Sequence, residues 1–346
     1  MKPRLSLSAL SRRSFLRTGA AAATLVGLVG TTGRAAQAAG AARSNPWAYD
    51  LRGFERTDPK LIQYRELRRF SCGRGEARRL ALGPDNRLWV AVGNYACAFN
   101  ETGNPVAELS FPSPVRCVAV SAEGEVYVGL RDHLEVFDAE GRRQAVWESP
   151  GKKTWFTGLA VTKDAVFAAD SGQRVVLHYD RTGKVRGRIG GKDPDRGIPG
   201  LVLPSPYLDV ELHPDGLLRL NNAGRHKVEA YTLTGDLAVS WGKPTMGIEG
   251  FCGCCNPVAL TLLPDGRFIT CEKGLPRVKV YSLHGEFEGV VAGVESFPQN
   301  ARVGTGDAPG EGVRASLDAV ADRAGRIFIL DTITAEIRLM VRNDSA

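Results

Sequence analysis

Apolar residues along this chain fall in short alternating runs, and the residues between the runs are the kinds that turn a backbone. "LALGPDNRLWVAVGNYACAFNETG" from Leu80 returns in outline as "VAVSAEGEVYVGLRDHLEVFDAEG" from Val118 and "LAVTKDAVFAADSGQRVVLHYDRTG" from Leu159. Three further copies start at Val210, Leu260 and Ala319. Alternating Val, Ile, Phe and Tyr suits a pleated, half-buried surface, so each copy predicts strands a, b and c. The a–b turn is PDG-like and the c–d turn reads D-x-x-G, as in Asp180 to Gly183, which is turn chemistry. A fourth strand follows, for example "KVRGRIGG", "DLAVSWGK" or "EFEGVVAG".

Four strands in a unit of about 40 to 50 residues, repeated in series, predict an all-β, six-bladed β-propeller. The sixth copy runs out after its third strand. "LIQYRELRRF", residues 61–70, has the pattern of the missing outer strand and precedes the first copy. The N-terminal strand should therefore complete the last blade, close the ring and remove the exposed sheet edges. The propeller is expected over 61–343. Its units resemble NHL repeats, with "AVFAADSGQRVVLHY" the nearest copy. The Asp that ends strand b in that pattern is present as Asp170 and Asp331, but is Asn221 in blade 4 and Cys271 in blade 5. The resemblance implies a fold that hosts lyases, lactonases and pure binding scaffolds, so it does not choose among them.

Residues 1–40 stand apart. Arg12 and Arg13 are followed by Phe15 and Leu16, then by a weakly apolar stretch and an A-x-A site at Ala36–Ala38. This resembles a twin-arginine (Tat) export signal, with Arg17 where lysine is usual. The resemblance implies a periplasmic or extracellular protein, exported already folded, with residues 41–60 as an extension before the ring. The signal also explains the charge. It holds six of the cations and no acid, so removing it takes the formal net charge from +7 to +1. The basic balance is thus no sign of a nucleic-acid partner. No apolar run approaches the roughly 20 residues of a membrane-spanning helix, so no membrane span is expected after signal removal.

Candidate chemistry concentrates in "FCGCCNP", residues 251–257, which holds three of the seven cysteines. Antiparallel alternation brings the b–c loops and the d-to-a connections out on one face of the ring. The d-to-a connections are the long ones, and long loops on a rigid scaffold are where binding sits. Cys252, Cys254 and Cys255 lie in the connection entering blade 5, and Cys271 ends strand b of that blade. All four are expected at one patch of this rim, with Cys72 and Cys117 on the same rim in other blades. Four thiolates would suit Zn²⁺, Cu(I) or an iron–sulfur cluster, although C-x-C-C-x15-C is neither a ferredoxin nor a zinc-ribbon spacing. Disulfides, favoured by export, and inert packing are the other readings. Lys273 and Arg277 beside Cys271 would lower its thiol pKa.

Asp209 and Asp318 share a repeat position with Cys117 near the rim end of strand a. By resemblance to gluconolactonase-type propellers they could hold a divalent cation at the channel mouth. Three functions follow. The leading one is an exported binding or electron-transfer scaffold with a cysteine-bound metal or redox centre that docks a protein or redox partner on the long-loop face. The alternatives are a metal-dependent lactonase- or lyase-like enzyme at the channel mouth, and a non-catalytic interaction module stapled by disulfides.

Overall fold

Each apolar repeat folds into a four-stranded antiparallel sheet, and six such sheets follow one another around a ring in this computed structural model. The structure describes residues 52–73, 75–299 and 316–343. The segment expected to be an export signal, the start of the expected extension and most of the connection into blade 6 lie outside the described residues. Blades 1 to 5 occupy 77–110, 117–147, 156–189, 210–241 and 259–292. Blade 6 takes three strands from 317–342 and its outer strand, Tyr64–Ser71, from the N-terminal side. That strand pairs with Glu336–Arg342 from Tyr64↔Arg342 to Ser71↔Glu336. The ring is closed by sequence-distant strands, as the truncated sixth repeat requires.

Strand a of each blade lines the channel, and b and c are almost wholly buried between neighbouring blades, as in Ala165–Asp170 and Ile327–Asp331. Outer strands alternate between exposed and part-buried positions, as Pro105–Ser110 does. Outside blade 3, the a–b turns end on a left-handed residue whose N–H donates back to the first residue of the turn. Gly216 takes this place at φ 82° and Asn86 at φ 61°, Asn being among the few side chains that accept this region.

The polar residues that end strand b hold the connections of the mouth in place. Asp170 accepts the backbone N–H of Trp155 at 3.0 Å, and Asn221 accepts that of Asp209 at 2.5 Å. The register corrects the expected equivalence. Cys271 shares the position of Asn221, opposite the strand-a residue Ala259, with its backbone carbonyl accepting from Val258 N at 2.8 Å. The position of Asp170 and Asp331 falls one residue later, at Asn222 and Glu272. No helix among the described residues is long and apolar enough to cross a membrane.

Candidate functional site: the channel mouth

Six equivalent strand-a positions face one another around the channel: Arg79, Cys117, Gly158, Asp209, Ala259 and Asp318. Three of these residues are small, which leaves room for one long side chain. Arg79 takes it. Its Nη1 donates to Asp209 Oδ2 at 2.9 Å and to Asp318 Oδ1 at 2.8 Å, and its Nε donates to the carbonyl of Thr157 at 2.7 Å. Both carboxylates also accept a backbone N–H group of the next blade, Asp318 on its free oxygen and Asp209 on the oxygen it shares with Arg79, while Asp209 Oδ1 accepts from Val210 N at 3.0 Å. Leu80 N donates to Asp318 Oδ2 at 2.6 Å, and Leu260 N to Asp209 Oδ2 at 3.1 Å. One buried cation thus ties blades 1, 3, 4 and 6 together. Burial alone would depress the Arg79 pKa, but the two aspartates raise it above its ordinary value. For Asp209, burial pushes the carboxyl up and Arg79 opposes it.

This arrangement differs from the expected divalent-cation site. The charge between Asp209 and Asp318 is the chain's own guanidinium, and among the described residues no group of three or more His, Cys, Asp or Glu side chains is arranged to hold a metal ion.

Above Arg79 the mouth opens into a cavity of about 490 Å³ on the long-loop face, within the usual range for small-molecule sites. Blades 1 and 2 contribute Glu76, Arg78 and Arg116, and blade 3 contributes Trp155, Phe156 and Thr157. Tyr207 and Val258 of blades 4 and 5 lie across the ring, with Ser316, Leu317, Thr332 and Ile333 of blade 6 completing the wall. Trp155 is held rigidly. Its N–H goes to Asp170, and its carbonyl accepts from both Ser171 N and Ser171 Oγ at 3.0 Å. Arg116 stacks on its ring with Cζ 4.0 Å from the centroid, and Arg131 approaches the same ring at 5.2 Å.

The two mouth arginines differ in their partners. Arg78 is engaged by Glu76 Oε2 at 2.7 Å and by two carbonyls. Arg116 Nε is buried with no hydrogen-bond partner among the described residues. Burial, and then the like charge of Arg78, lower its pKa to about 10. A half-buried guanidinium on an aromatic face, beside a second cation and with donor capacity unused, has the chemistry to donate to an anion.

The four cysteines do not assemble as a set: of them only Cys254 and Cys255 come together, with sulfurs 3.3 Å apart. Cys252, Cys255 and Cys271 lie in three separate apolar clusters, with Cys117 in a fourth and Cys72 and Cys97 together in a fifth. All seven are free thiols in this structure. The physical reason is direction. Cys271 ends strand b opposite Ala259 and packs along the blade interior. The 252–255 stretch belongs to a connection whose side chains turn toward other layers. Burial raises the Cys271 thiol well above its ordinary pKa, with Asp318 adding to it, which reverses the expected lowering by Lys273 and Arg277.

Arg277 serves the loop instead, together with Lys279 and Glu272. Buried Lys279 donates to the carbonyls of Ile248 and Gly250 at 3.0 and 2.5 Å and to Glu272 at 3.1 Å, while Arg277 pairs with the other oxygen of Glu272 at 2.5 Å. The loop entering blade 5 is folded around a buried ammonium.

No family model matches the chain, and no curated protein matches it. Solved structures do. Virginiamycin B lyase from Staphylococcus aureus superposes with a TM-score of 0.53 at 14% identity, covering 81% of this chain and 100% of the lyase. A catalytically inactive histidine-to-alanine variant of that enzyme with quinupristin gives 0.54 at 12%, over 81% and 100%. A streptogramin B lyase gives 0.52 at 12%, over 83% and 100%. At these identities the similarity bears on the fold, and this chain is an all-β propeller of six four-stranded blades.

Proposed function

We propose that the protein binds a small organic anion in the mouth cavity. A carboxylate would sit on Arg116 and Arg78, and an apolar or aromatic body would lie against Tyr207, Val258 and Leu317. The observation that carries this reading is Arg116: a cation stacked on Trp155, crowded by Arg78, with a buried donor left unused. A bidentate carboxylate would satisfy the donor and relieve the like-charge crowding, and charge-assisted hydrogen bonds of this kind contribute about 1.5–3 kcal/mol. The floor offers no spare positive charge, because Arg79 is already engaged by two carboxylates, Asp209 and Asp318. Selectivity for anions therefore rests on the wall of blades 1 and 2. The twin-arginine sequence at Arg12 and Arg13 supports an exported setting for this binding.

The test is a titration of the purified protein with aromatic carboxylates and their uncharged amides, followed by Trp155 fluorescence and calorimetry. Carboxylates should bind at least about tenfold tighter than the matched amides, and Arg116→Gln should erase the difference. Equal affinity for both, or an unchanged preference in Arg116→Gln, would overturn the proposal.

A second reading, turnover of the bound molecule as a lyase, draws support from the names of the three similar structures. Glu76, the carboxylate on the cavity wall, would serve as its base. Against this reading, no histidine lines the cavity among the described residues, whereas one of those lyases is inactive once a histidine is replaced. Binding without turnover is the reading the wall supports better.

A further inference from the structure

Cys254 and Cys255 remain unexplained once the loop into blade 5 has been accounted for by Lys279. Their sulfurs lie 3.3 Å apart, with Cys254 exposed and Cys255 buried. Cys252 is turned away into a separate apolar cluster with Leu275 and Val294, where Asn256 Nδ2 reaches its sulfur at 3.9 Å. Gly253, at φ 76°, precedes the pair, and only Asn256 Nδ2 lies near where its Cβ would be, at 3.8 Å, so the local backbone has space to adjust.

We propose that Cys254 and Cys255 form a thiol–disulfide exchange site, converted reversibly to a disulfide between adjacent residues by a small disulfide oxidant such as glutathione disulfide. The exposed Cys254, as thiolate, attacks one sulfur of the oxidant, RSSR. A Cys254–SR bond forms, the R–S–S–R bond breaks, and the first thiol RSH leaves after taking up a proton. Cys255 then loses its proton and attacks the Cys254 sulfur. The Cys254–Cys255 bond forms and the second RSH leaves. Two cysteine thiols are oxidised by two electrons, and one oxidant disulfide is reduced to two thiols. The difference in exposure sets the order, since only Cys254 can be reached from solvent.

The product is of the labile kind. Adjacent Cα atoms are about 3.8 Å apart, shorter than the usual span of about 4.4–6.8 Å for a disulfide. The bridge is strained and easily reduced, which suits exchange and not stapling. The Cys254 thiol is held above its ordinary pKa first by its hydrogen bond with Cys255 and then by burial, with Lys273 opposing. Exchange at neutral pH is accordingly slow, because the thiolate is the attacking species. The wall of the cavity is close by. Cys255 Sγ donates to Ser205 Oγ at 3.5 Å, and Ser205 directly precedes the cavity residues Pro206 and Tyr207. Bridging consumes that S–H and removes the bond.

The experiment treats the full chain with glutathione disulfide, alkylates it after denaturation, and reads thiol number and peptide mass. Of the seven thiols, two should be lost, with the peptide holding 254 and 255 lighter by two hydrogens. Cys254→Ser should lose none, and Cys252→Ser should still lose two. Cys255→Ser, if it folds, should stop at a glutathione adduct on Cys254. Cys254 is exposed, so its serine variant tests the proposal whether or not the variant at buried Cys255 folds. Seven reactive thiols after oxidation, or a bridge that needs Cys252, would overturn it.

Discussion

Arg79 and Arg116 sit on neighbouring blades at the same mouth, and they do opposite things. Arg79 has two carboxylates and a carbonyl at close range, and Arg116 has one aromatic face and a spare donor. A charge that the fold itself satisfies is structure. A charge that the fold leaves unsatisfied costs stability, and at the rim of a cavity it is available to a ligand. The contrast separates the part of the mouth that holds the ring together from the part that can recognise something.

The largest expected effect breaks the satisfied side. Arg79→Leu would leave Asp209 and Asp318 in the channel without their cation, a change that costs about 3–5 kcal/mol when one partner of a buried pair is removed. Urea unfolding should show this loss. Asp209→Asn with Asp318→Asn in the same chain should restore most of it, because the amide oxygens still accept the N–H groups of Leu80 and Leu260. If Arg79→Leu were no more damaging than a change at Arg116, the contrast would collapse. Gly158→Ala probes the same centre more gently. Its added Cβ would stand 2.6 Å from Asp209 Oδ1 and 3.3 Å from Asp209 Cα, so an overpacking cost of about 1–3 kcal/mol is expected.

Glu211 extends the comparison to pH. It lies next to the Arg79 cluster in the channel wall. Burial pushes its carboxyl up to about 8, and the charge of Asp209 acts in the same direction. The folded chain then binds this proton more tightly than the unfolded one. Stability contributed by the group is complete below the ordinary carboxylate range and declines as pH rises toward about 8. Glu211→Gln keeps the shape and cannot ionise. It should match the parent near pH 4 and exceed it near pH 8, as read from urea midpoints across that range. Parallel profiles in parent and variant would show that Glu211 titrates alike in the folded and unfolded chain, and so that burial does not raise its carboxyl.

Much of this architecture is legible in the repeats. Alternation located strands a to d, and the truncated sixth copy located the closing strand to within a few residues of Tyr64–Ser71. The long-loop face was legible too, and the cavity is there. What the repeats conceal is which way a side chain turns at the end of a strand. Cys271 shares a rim with Cys254 and still belongs to another packing layer, because neighbours along a loop do not share a direction. Arg79 could have been found. Setting the six strand-a positions side by side gives one arginine, two aspartates and three small residues, a pattern that requires the arginine to sit between the acids. Comparing only Asp209, Asp318 and Cys117 leaves out the cation and suggests a metal in its place.

The smallest expected change in stability comes from Arg116. Arg116→Gln gives up a cation–π contact worth about 0.5–1 kcal/mol at a partly exposed site. It also removes the repulsion from Arg78 and Arg131 that, together with burial, depresses the Arg116 pKa. These terms oppose each other, so the unfolding free energy should stay within about 0.5 kcal/mol of the parent. Salt separates them. Repulsion between the arginines is strongest at low ionic strength, so the variant should gain slightly on the parent there and lose that gain as salt screens the charges. Urea midpoints at low and high salt measure the shift. A loss above about 2 kcal/mol at either ionic strength would mean that Arg116 is as structural as Arg79. The unsatisfied side of the mouth would then no longer mark a place for an anion.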